Sequence, residues 1–367
     1  MDLSLFYFAD EARGGGHNDR YRLLLEGARF ADTHGFSAVW TPERHFHPFG
    51  GNYPNPAVTG AAVAAVTERI QIRAGSVVAP LHHVLRIAED WAVVDNLSGG
   101  RAGISLASGW NPEDFILGPG RFGDRSRTVL EHIDTLRSLW RGEPFTDPQA
   151  VDGEGPRIHP LPVQDEIPLW LTTAGNPDTF RAAGRARVGV LTHLASQGMD
   201  ELAERITQYR KEFTLASGGV GPGHVVLMLH AFLGADQATI EREVREPLEN
   251  YLLSALNLFN PQVGGARGAS GQRARLAVRP ALQRYLHQGG ALLGTTDRAE
   301  EVVRECERIG VDEIACLIDF GVPTDRVLHG LTHLAELRAR VTCGDVVSTS
   351  RRDAPKFPHH LGQGKMP

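Results

Sequence analysis

Short apolar runs alternate with longer amphipathic stretches along most of this chain. Residues 3–8 are apolar enough for a buried strand, and residues 20–34 carry apolar side chains at helical spacing up to Gly35, a glycine where a helix stops. The pairing repeats as strand 38–40 with helix 56–67, strand 70–78 with helix 86–97, and strand 103–107 with helix 125–140. Residues 142–164 interrupt it with five prolines and intervening glycines, and predict an irregular excursion with room for a hairpin. The rhythm resumes with strand 169–173 and helix 177–185, strand 188–192 and helix 200–216, strand 225–233 and helix 239–256, and finally strand 313–320 and helix 325–341.

Strands each followed by a helix predict a parallel sheet. Eight of them closing on themselves give the fold class, α/β, as a (β/α)8 TIM barrel. The alternative is an open doubly wound sheet. The stretch Gly118-Pro119-Gly120-Arg121-Phe122-Gly123 matches the dinucleotide-binding glycine pattern letter for letter. It follows a loop and not a strand, so the context that gives those glycines meaning is missing. Residues 260–273, rich in Gly, Ala and Ser, read as a loop of the lid type before the eighth strand. The domain reading is one (β/α)8 barrel over 1–342 and a flexible C-terminal tail over 343–367.

Composition narrows the class. The chain is 41% hydrophobic and 22% charged, with 44 acidic against 38 basic side chains, which describes a globular protein without the basic stripe that nucleic acid demands. Cys306, Cys316 and Cys343 have neither zinc-site spacing nor an even count for disulfides, so a cytoplasmic location is expected. No apolar run is long enough to span a membrane, and no signal peptide is expected.

Barrel chemistry sits at the C-terminal strand ends. After the second strand, Glu43, Arg44, His45 and His47 crowd into five residues. A carboxylate, a guanidinium and two imidazoles can bind an anion, orient a cofactor or move protons. A zinc reading through His45 and His47 is the alternative, but no further ligand completes it and no metal residue is assigned. Small residues end the third strand (Ala74, Gly75, Ser76) and the fourth (Ala107, Ser108, Gly109), which predicts a slot for a planar ring. After the fifth strand, Ala174, Gly175, Asn176 and Thr179 lead into a helix with Pro177 near its first position. Such a turn suits a phosphate or is an ordinary N-cap. Thr192 and His193 add a hydroxyl and an imidazole at the same rim. His82 and His83 read as packing at a helix start, and Cys316 reads as core.

These stretches together resemble the bacterial-luciferase-like flavin-dependent monooxygenases. The likeness is carried by residues 40–46, 73–78, the run Asp95-Asn96-Leu97-Ser98-Gly99-Gly100-Arg101, then 108–115, 173–184, 190–194 and 293–295, in order over roughly 1–340. It is closer to the subgroup associated with non-ribosomal peptide and polyketide biosynthesis, through 42–47, 74–80, 191–194 and 312–321. The resemblance implies reduced FMN supplied by a separate flavin reductase, with oxygen added at the flavin C4a carbon to give a peroxide that oxidises a small or carrier-tethered substrate. It also implies a homodimer. It places a cis peptide at Ala74-Gly75 beneath the ring, ring contacts at Ala107 and Ser108, and the phosphate at Gly175, Asn176 and Thr179. Luciferase itself has its histidine base where this chain has Arg44, a reactive cysteine at Ala107, and an arginine phosphate contact at Ser108. Light emission from an aldehyde is therefore not expected, and the phosphate grip must differ. A deazaflavin oxidoreductase on the same barrel, a metal-dependent barrel hydrolase, and an idle barrel that only docks to a synthetase assembly are the competing functions.

Overall fold

The computed structural model describes residues 1–8, 20–146, 155–259 and 270–343. Nine strands are present among them: β1 (Asp2–Phe6), β2 (Ala38–Thr41), β3 (Gln71–Val78), β4 (Ala102–Ala107), β5 (Leu169–Thr173), β6 (Gly189–His193), β7 (Val225–Leu233), β8 (Leu292–Gly294) and β9 (Glu313–Leu317). All pair in parallel, in the order β1 to β7, then β9, which returns to β1. The eight-stranded barrel is therefore closed, as expected. The described helices are α1 (Arg22–Thr33), α2 (Pro56–Ala64), α3 (Val84–Ser98), α4 (Arg125–Trp140), α5 (Pro177–Arg185), α6 (Met199–Ala216), α7 (Gln237–Phe259), α8 (Ser270–His287), α9 (Thr296–Arg308) and α10 (Thr324–Cys343).

The stretch between α7 and the last barrel strand departs from expectation. It holds two further helices, α8 and α9, and the short strand β8, which extends the sheet beside Ala231–Leu233 of β7. Ser270 to Arg273 of the expected loop open α8, and 260–269 lie outside the described residues. So does 344–367, the expected tail. The last barrel strand stops at Leu317, three residues short of the expected end.

Local grammar explains the helix ends. Asn55 caps α2, its side chain accepting from the N–H groups of Ala57 and Val58, and Pro56 takes the first helical position. Gly99 closes α3 in the left-handed conformation, φ 66°. Arg101 then donates to Thr67 O (2.8 Å) and Ile70 O (2.6 Å), tying the start of β4 to the start of β3. Asp95, fully buried, accepts from the backbone N–H of Val163 (2.7 Å) and Gln164 (3.0 Å). The run from Asp95 to Arg101 is thus a fastener beneath the barrel. It also anchors the far end of the 142–164 excursion, whose described part, 142–146 and 155–164, contains no strand.

The floor of the barrel is polar but paired. Glu313 of β9 meets Arg73 of β3 at 2.8 Å and accepts from Ser4 (2.5 Å) and Trp40 Nε1 (3.0 Å). The Arg73 guanidinium lies 4.8 Å from the Trp40 ring and 4.6 Å from that of Trp170. Gly189 makes room here, since a Cβ on it would sit 2.1 Å from Trp170. With the floor filled, the mouth at the other end is where a ligand can enter.

Candidate active site

The loop after β2 delivers Glu43 to the mouth with its side chain fully buried. One carboxylate oxygen accepts from His45 Nε2 (2.7 Å) and His82 Nε2 (2.6 Å), and the other from the Val78 backbone N–H (2.7 Å). Burial opposes ionisation of Glu43, but the bonds from His45, His82 and Val78 outweigh it and hold its pKa below the usual carboxylate range. Burial also opposes charge on His82, and Glu43 overrides it and raises the imidazole above its ordinary value. His82 was expected to be packing. Only His83 is, as the N-cap of α3 with its ring accepting from Leu85 N–H. The residue joining Glu43 comes from another strand end, 39 positions away, so sequence proximity could not reveal it. His47 instead accepts from Phe49 N–H at 3.0 Å, and no group of three or more His, Cys, Asp or Glu placed to hold a metal occurs among the described residues.

Arg44 points away from this hub. It is 3% exposed, bonds Asp114 through Nη1 (3.0 Å), and lies 5.0 Å from the Trp110 ring centre. Its Nε and Nη2 are buried with no hydrogen-bond partner among the described residues. Each such donor costs about 1–3 kcal/mol. Burial, only partly offset by Asp114, depresses its pKa. Gly50 (φ 81°) is needed beside it, because a Cβ there would meet Arg44 Cγ at 2.6 Å. Arg44 lines a depression of about 450 Å³ with His45, Phe46, His47, Pro48 and Pro54.

The expected ring slot needs correction. The cis peptide joins Gly75 and Ser76, one position later than expected. The space above Gly75 is taken, since a Cβ there would lie 2.7 Å from Phe6 and 3.2 Å from Trp40. Gly109 is similarly filled by Val78 (2.8 Å) and Phe115 (3.1 Å). Ala74 is fully buried. At the rim, Ala107 and Ser108 are half-buried and Ala174 is exposed, while Gly109 is half-buried with the space over its Cα taken. Between them Ser76 and Ser105 each bond the Thr172 hydroxyl, the latter at 2.6 Å.

At the α5 turn, Asn176 caps the helix by accepting from Asp178 N–H (2.8 Å), while the N–H groups of Gly175 and Asn176 go to Thr173 Oγ1. Thr192 is 1% exposed and donates to Thr173 O (2.8 Å). It props the turn from beneath and does not reach the rim, which corrects its expected role. Thr179 remains half-buried in the first turn. Arg205 of α6, bonded to Gln197 Oε1 at 2.6 Å, lies beside Gly175, whose Cβ would be 2.9 Å from its Nη1. Sequence reading missed this cation, because it is the seventh residue of α6, 30 positions from Gly175 in the turn it flanks. The N–H groups of this turn are spent on Thr173 and Asn176, which leaves the Thr179 hydroxyl and the nearby Arg205 guanidinium as the groups that suit a phosphorylated compound.

The opposite wall was also missed. His230 of β7 sits among the rings of Tyr251 (4.7 Å), Tyr285 (5.1 Å) and Phe320 (5.4 Å). Burial pushes its pKa down to about 3, and that of His193 down to about 4, so both are neutral. Phe8, Phe49 and Tyr251 continue this aromatic band toward the β2 loop.

Known proteins resemble this chain at several levels. An uncharacterised protein of Mycobacterium tuberculosis, Rv0953c, is 30% identical over 50% of this chain and 72% of its own length. The oxygenase component of a flavin-dependent trigonelline monooxygenase from Acinetobacter baylyi is 23% identical over 83% of this chain and 85% of its own. The monooxygenase RslO1 of Streptomyces bottropensis superposes with a TM-score of 0.78 at 22% identity, over 93% of this chain and all of that one. The oxygenating constituent of 3,6-diketocamphane monooxygenase from Pseudomonas putida, solved with FMN, gives 0.74 at 18%, covering 93% and 98%. An F420-dependent secondary alcohol dehydrogenase gives 0.64 at 15%, covering 88% and 97%. At these identities the structural likeness is one of fold. The family model of the luciferase-like monooxygenases, however, matches residues 1–313, and the chain belongs to that family.

Proposed function

We propose that this chain is the oxygenase of a two-component system, using reduced FMN from a separate reductase and O2 to oxygenate an acyl or aminoacyl intermediate of secondary metabolism. The product is a hydroxylated compound or one with oxygen inserted beside a carbonyl. The observation that carries the reading is the buried Glu43 with His45 and His82, set on the same mouth as the half-buried rim of β4 and the first turn of α5. The name of the trigonelline relative, an oxygenase component, supports the need for a reductase.

Ala107 and Ser108 would border the ring, and Thr179 in the first turn of α5 would take the phosphate with Arg205. When bound, reduced FMN supplies the electrons that activate oxygen. Glu43 stays ionised and fixes both imidazoles through Nε2, which leaves Nδ1 of His45 and His82 as the atoms that take or give a proton. Arg44 orients the substrate, and the aromatic band from Phe8 to Tyr251 keeps water from the mouth. The protein acts in the cytoplasm as a homodimer.

Anaerobic titration with reduced FMN and with a reduced deazaflavin tests the cofactor. Expected is saturable FMN binding that weakens in Arg205→Gln, followed by transfer of oxygen-18 from labelled O2 to product. Binding of the deazaflavin alone would turn the reading to a deazaflavin oxidoreductase. Full turnover and normal flavin binding in both Arg44→Ala and His45→Ala would overturn the site assignment.

A further inference from the structure

Arg44 is bonded on one side only. Nη1 is spent on Asp114 at 3.0 Å, and the Trp110 ring lies 5.0 Å from the guanidinium carbon. Nε and Nη2 are buried and unpartnered among the described residues. These two nitrogens form one edge of the planar group, with parallel N–H vectors spaced to match two oxygens of one acceptor. Two other guanidinium groups of the barrel are satisfied closely, whereas Arg284 also leaves its Nε buried without a partner among the described residues. Arg73 reaches Glu313 and Gln71, and Arg101 reaches three acceptors on the segment before β3. A desolvated, unpartnered edge on a side chain that also lines a depression of about 450 Å³ is available to an acceptor that arrives from outside.

We propose that Arg44 receives a carboxylate of the substrate on its Nε–Nη2 edge, so that the substrate of this enzyme is a carboxylic acid carrying an apolar body. The proposal deepens the oxygenase reading and rests on it for the word substrate. Planarity selects a carboxylate, because both oxygens meet the edge in its plane. Charge disfavours a dianion more than a monoanion: Asp114 cancels the single unit on Arg44, so a bound carboxylate leaves the cluster with one negative charge and a phosphate dianion leaves it with two, in a buried setting. The other lining groups fit the rest of the molecule: Phe46, Pro48 and Pro54 offer apolar contact, and the rings of His45 and His47 stand at the same wall. His45 belongs to the Glu43 hub, so a carboxylate held at Arg44 places the body of the acid next to the proton-handling groups. Asp114 is then a positioning residue: it holds Nη1 and so aims the free edge. It is aimed in turn by Asn111, which donates to its other oxygen at 2.8 Å.

The test uses the full-length protein and needs no turnover. Benzoate, benzamide, methyl benzoate and phenyl phosphate are titrated by calorimetry, with and without FMN present. Benzoate is expected to bind about tenfold or more tighter than its amide and ester, which present one acceptor oxygen in place of two equivalent charged ones. Arg44→Lys keeps the charge but loses the fork, and is expected to lose about the same factor for benzoate. Wild-type protein that does not separate benzoate from benzamide overturns the proposal, as does one that shows no saturable benzoate binding at millimolar concentration. Equal binding of phenyl phosphate overturns the carboxylate assignment. Because the acid-against-amide comparison is made on unmodified protein, a poorly folding Arg44 variant leaves the test intact. Arg44-dependent benzoate binding in a protein that takes up no flavin would keep the acid site and remove the oxygenase reading. Flavin binding without acid discrimination would do the reverse.

Discussion

Removing the charge from Glu43 while keeping its shape separates the two tasks of that carboxylate, orienting two imidazoles and stabilising charge on one. Its folded pKa lies below the unfolded value of about 4.3, so its contribution to stability is present above that value and is lost as pH falls through the lowered one. The pKa of His82 lies above the unfolded value of about 6.5. Its contribution is complete below that value and is lost as pH rises through the raised one. The pair is therefore strongest between the two limits. In Glu43→Gln, His82 is expected to titrate below about 6.5, because burial and Arg121 then oppose its charge and only Asp90 favours it. Unfolding free energy near neutrality should drop by about 1–3 kcal/mol, the range for a buried donor left without its acceptor. Imidazole C–H shifts followed by NMR, with urea unfolding across the same pH range, measure both. An unmoved His82 titration would show that Glu43 is not its partner.

At the level of elements, Asp95 shows how a helix can hold an excursion that has no regular structure of its own. Its buried carboxylate accepts from Val163 N–H, Gln164 N–H and Gln164 Nε2, the last at 2.6 Å. Asp95→Ala leaves those donors without a partner, and the loss is expected to be about 3–5 kcal/mol. Limited proteolysis should then cut near Val163 before the barrel unfolds; an unchanged cleavage pattern would count against the anchoring role. The sequence made the regular units readable because periodicity and caps agreed: the observed β5, α4, α5 and β7 have the expected limits. Segment 274–312 was overlooked although α9 is strongly patterned, with Ala299, Val302, Val303 and Cys306 on its buried face. Eight strand–helix units complete the barrel pattern without it. Within α8, Pro280 masks the helix, and β8 has only three residues. At the strand ends, consecutive small or polar residues looked equally eligible for the site. A strand sends alternate side chains to opposite faces, so Gly75 faces the barrel interior beside Phe6 and Thr192 lies beneath the α5 turn. His82, Arg205 and His230 come together with the site only through the closed sheet, and a linear pattern has no way to express that.

The whole molecule is closed where its last barrel strand meets its first, and the charge at that seam makes closure sensitive to acid. Glu313 opens β9 and pairs in register with Asp2 of β1 and Val226 of β7. Its side chain crosses the floor to Arg73 of β3, with Ser4 and Trp40 completing its acceptor sites, so one carboxylate ties β9 to three other strands. Burial works against its ionisation, but Arg73 and the other partners bring its pKa down to about 2. Against an unfolded value of about 4.3, that difference corresponds to about 3 kcal/mol. Because the folded pKa is the lower one, this stability is present above about pH 4.3 and drains away as pH falls toward 2. Glu313→Gln should therefore lower the unfolding free energy at neutral pH by about 3–5 kcal/mol, the usual result of leaving a buried guanidinium without its anion. It should also flatten the acid limb of the stability curve. Replacing both partners, as Arg73→Met with Glu313→Leu, removes the stranded charge and should recover much of the loss. Guanidinium-chloride unfolding at a series of acidic pH values reads all three proteins. If the single variant keeps the full acid sensitivity of the wild type, the seam is held by packing and not by Glu313. Cofactor uptake supplies an independent reading, since the mouth stands on this floor: if the proposed FMN binding holds for the wild type, the double variant should match it, because none of the replaced atoms belongs to the mouth.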